Sequence, residues 1–172
     1  MVSKSIINKC KKIKIVLTDV DGVLTDGGMY YSAKGDVMKR FFVRDGMAVT
    51  LLWKNGIPTI VITKEKNMII RQWTKNMKVK KLYEGVIKKE LILKKICSIF
   101  ELSPNNVAYI GDDINDIELL KRVGLSVVPN DGILEAKKIC NYVCKHKAGR
   151  GAFRELADLI LLTQKVKHKI TE

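Results

Sequence analysis

The chain has 172 residues and a formal net charge of +14. Hydrophobic residues make up 47% and charged residues 29%, a balance typical of an ordinary globular protein. No apolar run is long enough to cross a bilayer, and the basic N-terminus is followed by too short an apolar stretch for a signal peptide. We therefore expect a cytoplasmic protein with no membrane partner, folded as a single domain over residues 1–172.

The positive charge raises the question of a nucleic-acid partner. The lysines are scattered, mostly as single residues or pairs, and the densest group, at 165–169, is interpreted as a solvated end. We therefore expect no nucleic-acid partner. A basic binding protein that has no catalytic activity stays as the alternative from a different functional class.

Short apolar runs alternate with amphipathic segments along the whole chain. In chain order, the pattern predicts a strand at 14–18, hairpin strands at 29–31 and 36–43, a helix at 45–55, a strand at 57–63, a helix at 67–76, a strand at 79–83, a helix at 88–100, a strand at 107–110, a helix at 117–123, a strand at 125–128, a helix at 132–139, a strand at 142–143 and a helix at 153–162. This alternation favours an α/β fold, a Rossmann-like doubly wound parallel sheet with helices on both faces and a protruding β-hairpin. Asp45 is expected to cap the first of these helices.

The predicted hairpin carries aromatic residues and Met29, which would be poor solvent-facing residues on a monomer. One interpretation is a contact between subunits. The other is that the hairpin packs against its own domain, and the residues alone do not separate the two.

Two carboxylates, Asp19 and Asp21, follow the first strand. Side chains at i and i+2 of an extended chain point the same way, so both carboxylates can reach one small volume. Without a cation they would repel each other, and a hard divalent ion such as Mg2+ removes that conflict. One carboxylate is then free to attack an electrophile while the other handles a proton. A strand that merely ends in an Asp-Gly turn would explain Asp21 but not Asp19.

Polar residues also follow two other apolar strands: Thr63 after one, and Asp112 with Asp113 after the other. Parallel strands end at the same edge of a sheet, where ligands bind, so these residues should join the first pair of carboxylates. Asp19, Asp112 and Asp113 offer oxygens to Mg2+, and Thr63 offers a hydroxyl group to phosphate. Lys89, at the start of a long predicted helix, adds a positive charge. A metal, a lysine and a hydroxyl group around a carboxylate nucleophile indicate phosphoryl transfer.

These residues resemble, in order and spacing, the four motifs of the haloacid dehalogenase superfamily of phosphatases. More narrowly, the chain is similar to the capless phosphatases that act on 3-deoxy-D-manno-octulosonate 8-phosphate. The stretches that carry this likeness are 19–28, 43–46, 107–116 and 149–155. The resemblance spans about residues 13–164. It implies no cap domain, a homotetramer whose hairpins pack together at its centre, and a role in lipopolysaccharide biosynthesis.

The resemblance also implies roles for individual residues. Asp19 would be the nucleophile and Asp21 the general acid and base. The side chains of Asp19 and Asp112, with the backbone carbonyl of Asp21, would hold Mg2+. The residues implied to support the metal are Asp113 and Asp116, and those implied to bind the phosphate are Thr63 and Lys89.

Three further residues are implied to contact the acidic sugar phosphate: Arg44, Lys64 and Arg150. Arg150 would close over the substrate carboxylate of its own or a neighbouring subunit. Lys64 stands where the family usually has glycine, so its side chain either crowds the phosphate or adds charge to it. The Glu65–Lys66 pair resembles the branch that acts on nonulosonate (sialic-acid-like) 9-phosphates, and such a sugar is the alternative substrate.

Overall fold

A computed structural model describes residues 2–164. The basic group at 165–169, predicted to be a solvated end, lies outside the described residues. The strands are β1 (Ile15–Thr18), β2 (Tyr30–Ser32), β3 (Gly35–Met38), β4 (Thr59–Ile62), β5 (Lys81–Tyr83), β6 (Val107–Ile110), β7 (Leu125–Val128) and β8 (Tyr142–Val143). The α-helices are α1 (Lys4–Cys10), α2 (Val43–Lys54), α3 (Met68–Asn76), α4 (Glu90–Ile99), α5 (Ile117–Leu120), α6 (Leu134–Ile139) and α7 (Ala152–Thr163).

Six of these strands form one sheet in the order β5-β4-β1-β6-β7-β8. Every neighbouring pair is parallel. The order steps outward from β1 in both directions, which is the doubly wound arrangement that places ligands at the carboxyl ends of the central strands. The α/β fold expected from the sequence is therefore confirmed. β2 and β3 pair separately as an antiparallel hairpin.

The central strands are buried on both faces, and their side chains alternate between two cores. Val16 of β1 packs in the core that contains residues of α2 and α7. Leu17 points the other way, into the core that contains residues of α4, α5 and α6. Strands enclosed in this way read as continuous apolar runs, which is why the sequence identified them so readily.

Helix α1 was not predicted from the sequence. Its seven residues are rich in lysine and too few to show a clear helical period. Ser3 caps it by accepting a hydrogen bond from the backbone N–H of Ile6, and Cys10 is buried at its end. Tertiary packing against α7 and β7, rather than local pattern, accounts for this helix.

The prediction that Asp45 caps α2 is wrong. The helix begins at Val43, and Asp45 lies inside its first turn with no exposure to solvent. Its carboxylate accepts hydrogen bonds from the backbone N–H groups of Gly151 at 3.3 Å and Arg154 at 2.8 Å. Asp45 therefore holds the start of α7 against α2, a partnership across more than a hundred residues that no local signal reveals.

The carboxyl edge of the sheet is open. Between β1 and α2 the chain forms the β2–β3 hairpin, and in residues 2–164 no cap domain covers this edge. The first hairpin strand is displaced by one residue from its predicted position, and the second is shorter than predicted. Strands β6, β7 and β8 have their predicted bounds, and the other predicted helices and strands differ by a few residues at their ends. Of the helices between residues 2 and 164, none is both long and apolar enough to cross a membrane.

Candidate active site

Asp19 lies at the carboxyl end of β1, in the middle of the sheet. Its backbone N–H donates to the carbonyl oxygen of Ile110 at 3.0 Å, which continues the β1–β6 ladder one residue beyond the strands. The residue is only 6% exposed. Burial raises the pKa of its carboxyl group to about 7, and the positive charge of Lys89 opposes that rise. Asp19 is thus a carboxylate whose ionisation depends on nearby cations.

Lys89 supplies one such cation from a fully buried position. Its Nζ lies 2.7 Å from Asp19 Oδ1 and 2.7 Å from Asp116 Oδ1. Burial alone would lower the pKa of Lys89, but the two carboxylates outweigh it and raise the pKa above its usual value. The side chain therefore stays an ammonium group, which fixes one oxygen of Asp19 and offsets part of the negative charge in the site.

Asp116 is the centre of the hydrogen-bond network beneath the site. Its Oδ1 accepts from Lys89 Nζ at 2.7 Å and from the Tyr109 hydroxyl group at 2.5 Å. Its Oδ2 accepts from the backbone N–H groups of Asp112 at 2.8 Å and Asp113 at 3.2 Å. Because both oxygens already accept two hydrogen bonds, Asp116 orients the lysine and the 112–113 loop.

Asp112 faces Asp19 across the site. One carboxylate oxygen from each of Asp19, Asp112 and Asp116 lies within 4.8 Å of the other two. Asp112 Oδ1 is buried, with no hydrogen-bond partner among residues 2–164. Burial, reinforced by the charge of Asp19, raises the pKa of Asp112 to about 8. Such a cluster of oxygen donors fits a divalent cation, and Asp19 and Asp112, whose oxygens are less fully engaged, would hold it.

Gly22 leaves the space that Asp112 occupies. It has a φ angle of +91°, and a Cβ added there would lie 2.0 Å from Asp112 Oδ2. Any side chain would therefore both strain the backbone and displace the carboxylate. The glycine in the Asp-Gly pair is thus needed for the approach of two loops and not only for a turn.

Asp21 follows β1 by three residues and is held through one oxygen. Its Oδ1 accepts from Thr25 Oγ1 at 3.1 Å and from Lys39 Nζ at 2.8 Å. Its Oδ2 is buried, and within the described residues it has no hydrogen-bond partner. Asp21 therefore presents one engaged oxygen and one free oxygen, and the free oxygen is available to a bound substrate.

The open edge of the sheet holds a cavity of about 450 Å³. Its lining comes from four sources: the β1 loop, the hairpin, the β4 loop and the β6 loop. The lining residues are Asp19, Asp21, Gly27, Met29, Tyr31, Asp36, Lys39, Thr63, Lys64, Glu65, Asp113, Ile114 and Asn115. The structure thus brings Asp19, Asp21, Thr63, Lys64 and Asp113 to one space, while Lys89 and Asp116 lie buried directly behind Asp19.

Thr63 lies just past β4 and is 2% exposed. Its backbone is fixed by hydrogen bonds to Tyr83 and Val86, and its Oγ1 accepts from the backbone N–H of Glu65 at 3.2 Å. Lys64, by contrast, is an exposed residue on the cavity wall. Lys64 therefore adds a positive charge to the rim of the cavity.

Arg44 and Arg150 do not reach this cavity. They line a separate cavity of about 480 Å³, which includes Arg154, Glu155 and Asp158 from α7. The sequence expectation was that Arg150 closes over the substrate carboxylate of its own or a neighbouring subunit, and within one chain the structure does not bring Arg150 to the cavity that contains Asp19. The reason is topological, because Arg44 follows the hairpin and Arg150 precedes α7, and Asp45 ties those two segments to each other.

Tyr109 and Lys39, which contact carboxylates of the site, were not predicted from the sequence. Tyr109 carried a detectable signal, since a tyrosine in a fully buried strand needs a partner for its hydroxyl group. Lys39 carried none, because it is one of many lysines and its partner Asp21 lies 18 residues away. Only the fold of the hairpin back over the sheet brings that pair together.

The chain matches a known protein family. A family model described as haloacid dehalogenase-like hydrolase matches residues 59–156. That match includes Lys89 and the carboxylates that follow β6, whereas the carboxylates that follow β1 precede it.

The 3-deoxy-D-manno-octulosonate 8-phosphate phosphatase KdsC of Escherichia coli strain K12 is 35% identical to this chain over 163 residues, which are 95% of this chain and 87% of that protein. The Yersinia pestis protein of the same name is 34% identical over the same shares. The chain therefore belongs to the haloacid dehalogenase-like hydrolases, in the 3-deoxy-D-manno-octulosonate 8-phosphate phosphatase family, and is a phosphoric monoester hydrolase.

Solved structures of phosphatases with this name are similar in fold to this chain. The Yersinia pestis phosphatase superposes with a TM-score of 0.93 at 34% identity, covering 95% of this chain and 89% of that one. The Moraxella catarrhalis phosphatase, in complex with a magnesium ion, a phosphate ion and KDO, gives a TM-score of 0.90 at 29% identity over 93% and 92% of the chains. A cobalt-bound form from Haemophilus influenzae gives 0.89 at 34% identity over 91% and 92%. Relatives of this chain thus bind divalent metals.

Proposed function

We propose that this protein is a Mg2+-dependent phosphatase that hydrolyses 3-deoxy-D-manno-octulosonate 8-phosphate to the free sugar acid and phosphate. The observation that carries the proposal is the position of Asp19, which lines the cavity with Lys89 on one oxygen, Asp112 opposite and Asp21 beside it. Each neighbour supplies one requirement of phosphoryl transfer to a carboxylate: charge compensation, a metal ligand and a proton donor.

In the first step, an oxygen of Asp19 attacks phosphorus in line with the leaving oxygen. A bond forms between Asp19 and phosphorus, and the bond from phosphorus to the sugar oxygen breaks. Asp21 gives its proton to the departing alkoxide through its free Oδ2, so the sugar leaves as an alcohol. Thr63 binds the phosphoryl oxygens, and the Lys89 ammonium compensates the charge on Asp19.

In the second step, Asp21, now a carboxylate, takes a proton from water. The water oxygen bonds to phosphorus as the bond to Asp19 breaks, which releases phosphate and restores both carboxyl groups. Held by Asp19, Asp112 and the backbone carbonyl of Asp21, Mg2+ would supply positive charge to the phosphoryl oxygens. Asp116 supports that arrangement from behind through its hydrogen bonds to the 112–113 backbone, and Asp113 supports it from the cavity wall.

A nonulosonate 9-phosphate is the second candidate substrate. Its support is the charged rim of the cavity, where Lys64 and Glu65 both lie on the wall. A longer acidic sugar offers a carboxylate and additional hydroxyl groups to such a rim. The chemistry at phosphorus is the same for both sugars, so the choice is a matter of kcat/KM on each. Family membership sets aside the remaining alternative, a basic binding protein with no catalytic activity.

The deciding experiment measures phosphate release from both sugar phosphates, with Mg2+ and with EDTA. We expect Mg2+-dependent turnover that favours the octulosonate ester, and no turnover by Asp19→Asn protein whose fold is intact by circular dichroism. A higher kcat/KM on the nonulosonate ester would replace the first substrate with the second. Wild-type rates in the Asp19→Asn variant would remove the nucleophile assignment.

We also propose a cytoplasmic, single-domain homotetramer that acts in lipopolysaccharide biosynthesis. Support for assembly comes from the hairpin, where Met29 is 70% and Tyr31 65% exposed. Arg44 and Arg150 lie away from the active-site cavity of their own chain. In such an assembly they would reach the substrate carboxylate of a neighbouring subunit. Light scattering checks the tetramer, and an Arg150→Met variant with raised KM but unchanged kcat checks the contact.

A further inference from the structure

Lys39 occupies an unusual position for a lysine. It directly follows β3, and its side chain is only 5% exposed although it lies on the wall of the active-site cavity. Its Nζ lies 2.8 Å from Asp21 Oδ1 and 3.0 Å from Asp36 Oδ2. A buried ammonium group between two carboxylates is costly to desolvate, so the position indicates a purpose other than stability.

The second carboxylate is itself anchored. Asp36 Oδ2 also accepts from Asn67 Nδ2 at 3.0 Å, and Asn67 is the N-cap of α3. A continuous series of polar contacts therefore runs from the start of α3 through Asp36 and Lys39 to Asp21. This series holds the hairpin against the carboxyl edge of the sheet and ends on a carboxylate of the site.

The effect on Asp21 is to make its two oxygens different. Oδ1 accepts from both Lys39 and Thr25, whereas Oδ2 is buried and finds no partner within residues 2–164. The donors on Oδ1 therefore leave Oδ2 as the oxygen of Asp21 that is free to contact a bound substrate. A partial rotation about the Cβ–Cγ bond, which would turn Oδ2 to another direction, breaks both hydrogen bonds on Oδ1.

We propose that Lys39 is a positioning residue for the proton donor of the reaction: with Asp36 it fixes Asp21 so that Oδ2 faces the leaving oxygen. This inference rests on the proposed function, since it assigns a role within that mechanism. As the bond from phosphorus to the sugar oxygen breaks, the proton passes from Asp21 Oδ2 to that oxygen, and Asp21 is left as a carboxylate. The adjacent Lys39 ammonium group compensates this new charge, so its contribution is largest when proton transfer is most advanced.

The test exploits the leaving group. Protonation of the departing oxygen matters most for an alkoxide, which is a poor leaving group. It matters less for a phenolate and least for p-nitrophenolate. We compare wild-type and Lys39→Met proteins by kcat/KM on 3-deoxy-D-manno-octulosonate 8-phosphate, phenyl phosphate and p-nitrophenyl phosphate. This parameter reports the steps up to departure of the leaving group, so slower hydrolysis of the phosphorylated Asp19 does not enter it. The two aryl esters carry no carboxylate, which separates proton donation from recognition of the sugar acid.

We expect Lys39→Met to lose roughly 10- to 100-fold on the sugar phosphate, about tenfold on phenyl phosphate and less than about threefold on p-nitrophenyl phosphate. Lys39→Arg should restore part of the loss. Asp36→Asn keeps the lysine but removes the carboxylate that anchors it, so its losses in kcat/KM should follow the same order over the three esters and be smaller. If Lys39→Met does not fold, Asp36→Asn replaces it in the comparison with the wild-type protein. Lys34→Met, on the exposed turn of the same hairpin, is the control with the same change of charge.

Three results would overturn the inference. Equal losses on all three esters would mean that Lys39 binds phosphate or only supports the fold. A loss confined to the sugar phosphate would mean that Lys39 recognises the sugar acid directly. Unchanged kcat/KM on every ester would mean that it has no part in the reaction. If the wild-type protein itself released no phosphate from any of the esters, the proposed function would fail first, and this assignment with it.

Discussion

The Lys89 ammonium group lies 2.7 Å from Asp19 Oδ1, with the lysine side chain fully buried and that of the aspartate 8% exposed. Lys89 is therefore a buried group behind Asp19 and not an exposed arm on the cavity wall. It is an internal counter-charge, shared between Asp19 and Asp116, that favours the ionised form of the proposed nucleophile against the burial that raises its pKa.

Replacing Lys89 with methionine should therefore remove both activity and stability. We expect phosphate release to fall more than about 100-fold, because an electrostatic partner of the reacting carboxylate is lost. The free energy of unfolding should fall by about 3–5 kcal/mol, since two buried carboxylates lose their cation. Urea denaturation and phosphate assays measure the two effects.

Lys88→Met is the matched control for that variant, because Lys88 is the exposed neighbour of Lys89. It should change neither quantity noticeably. Near wild-type turnover by Lys89→Met would contradict the role given to Lys89.

Gly22→Ala should disturb the metal site rather than the fold as a whole. The added Cβ would lie 2.0 Å from Asp112 Oδ2, so this carboxylate must move. We expect the apparent affinity for Mg2+ to fall by about 10- to 100-fold, measured by Mg2+ titration of activity and of the rise in Tm. Gly56→Ala also places alanine at a positive φ angle, +74°, but with open space around the Cβ, and should leave Mg2+ affinity unchanged. Equal Mg2+ affinity in the two variants would show that Asp112 is not a ligand.

Tyr109→Phe should weaken the network beneath the site without breaking it. Asp116 loses the hydroxyl donor at 2.5 Å but keeps Lys89 and two backbone N–H groups. We expect a loss of about 0.5–1.5 kcal/mol in the free energy of unfolding and a loss of about two- to tenfold in activity. A loss of activity as large as that of Lys89→Met would mean that Tyr109 contacts the substrate.

The raised pKa of Asp45 predicts that the stability of the protein depends on pH. Burial raises the pKa of its carboxyl group from 3.8 to about 6, against the hydrogen bonds from Arg154 and Gly151 that lower it. Between those two values the folded protein binds more protons than the unfolded one, so the contribution of Asp45 to stability declines as pH rises from about 4 through about 6. The size of this decline is on the order of 1–3 kcal/mol.

Asp45→Asn protein cannot titrate at this position, so its stability should decline less over that range. Thermal melts of both proteins at a series of pH values with saturating Mg2+ give the comparison, because the metal keeps the carboxylates of the site ionised in both. Parallel curves for the two proteins would contradict the assigned pKa.

The local sequence pattern was sufficient to predict the structure wherever the environment of a residue follows from its position in the sheet. Runs such as 107–110 are apolar because both faces of the strand are covered, and parallel strands necessarily end at one edge. The sequence therefore indicated the sheet, its open edge and the grouping of Asp19, Asp21, Thr63 and Asp112 there. Helix α1 and the role of Asp45 were not predictable, because distant packing rather than local propensity decides both.

By itself, then, the sequence determined the fold class and the family, since periodicity and motif spacing are properties of neighbouring residues. Only the tertiary structure decided which oxygen of Asp21 is free and where Lys39 lies. It also decided that Arg44 and Arg150 lie outside the active-site cavity of their own chain. The physical reason is that hydrogen bonds and ion pairs act over about 3 Å in space. The chain brings together groups that lie 18 or 106 residues apart, as with Lys39 and Asp21 or with Gly151 and Asp45.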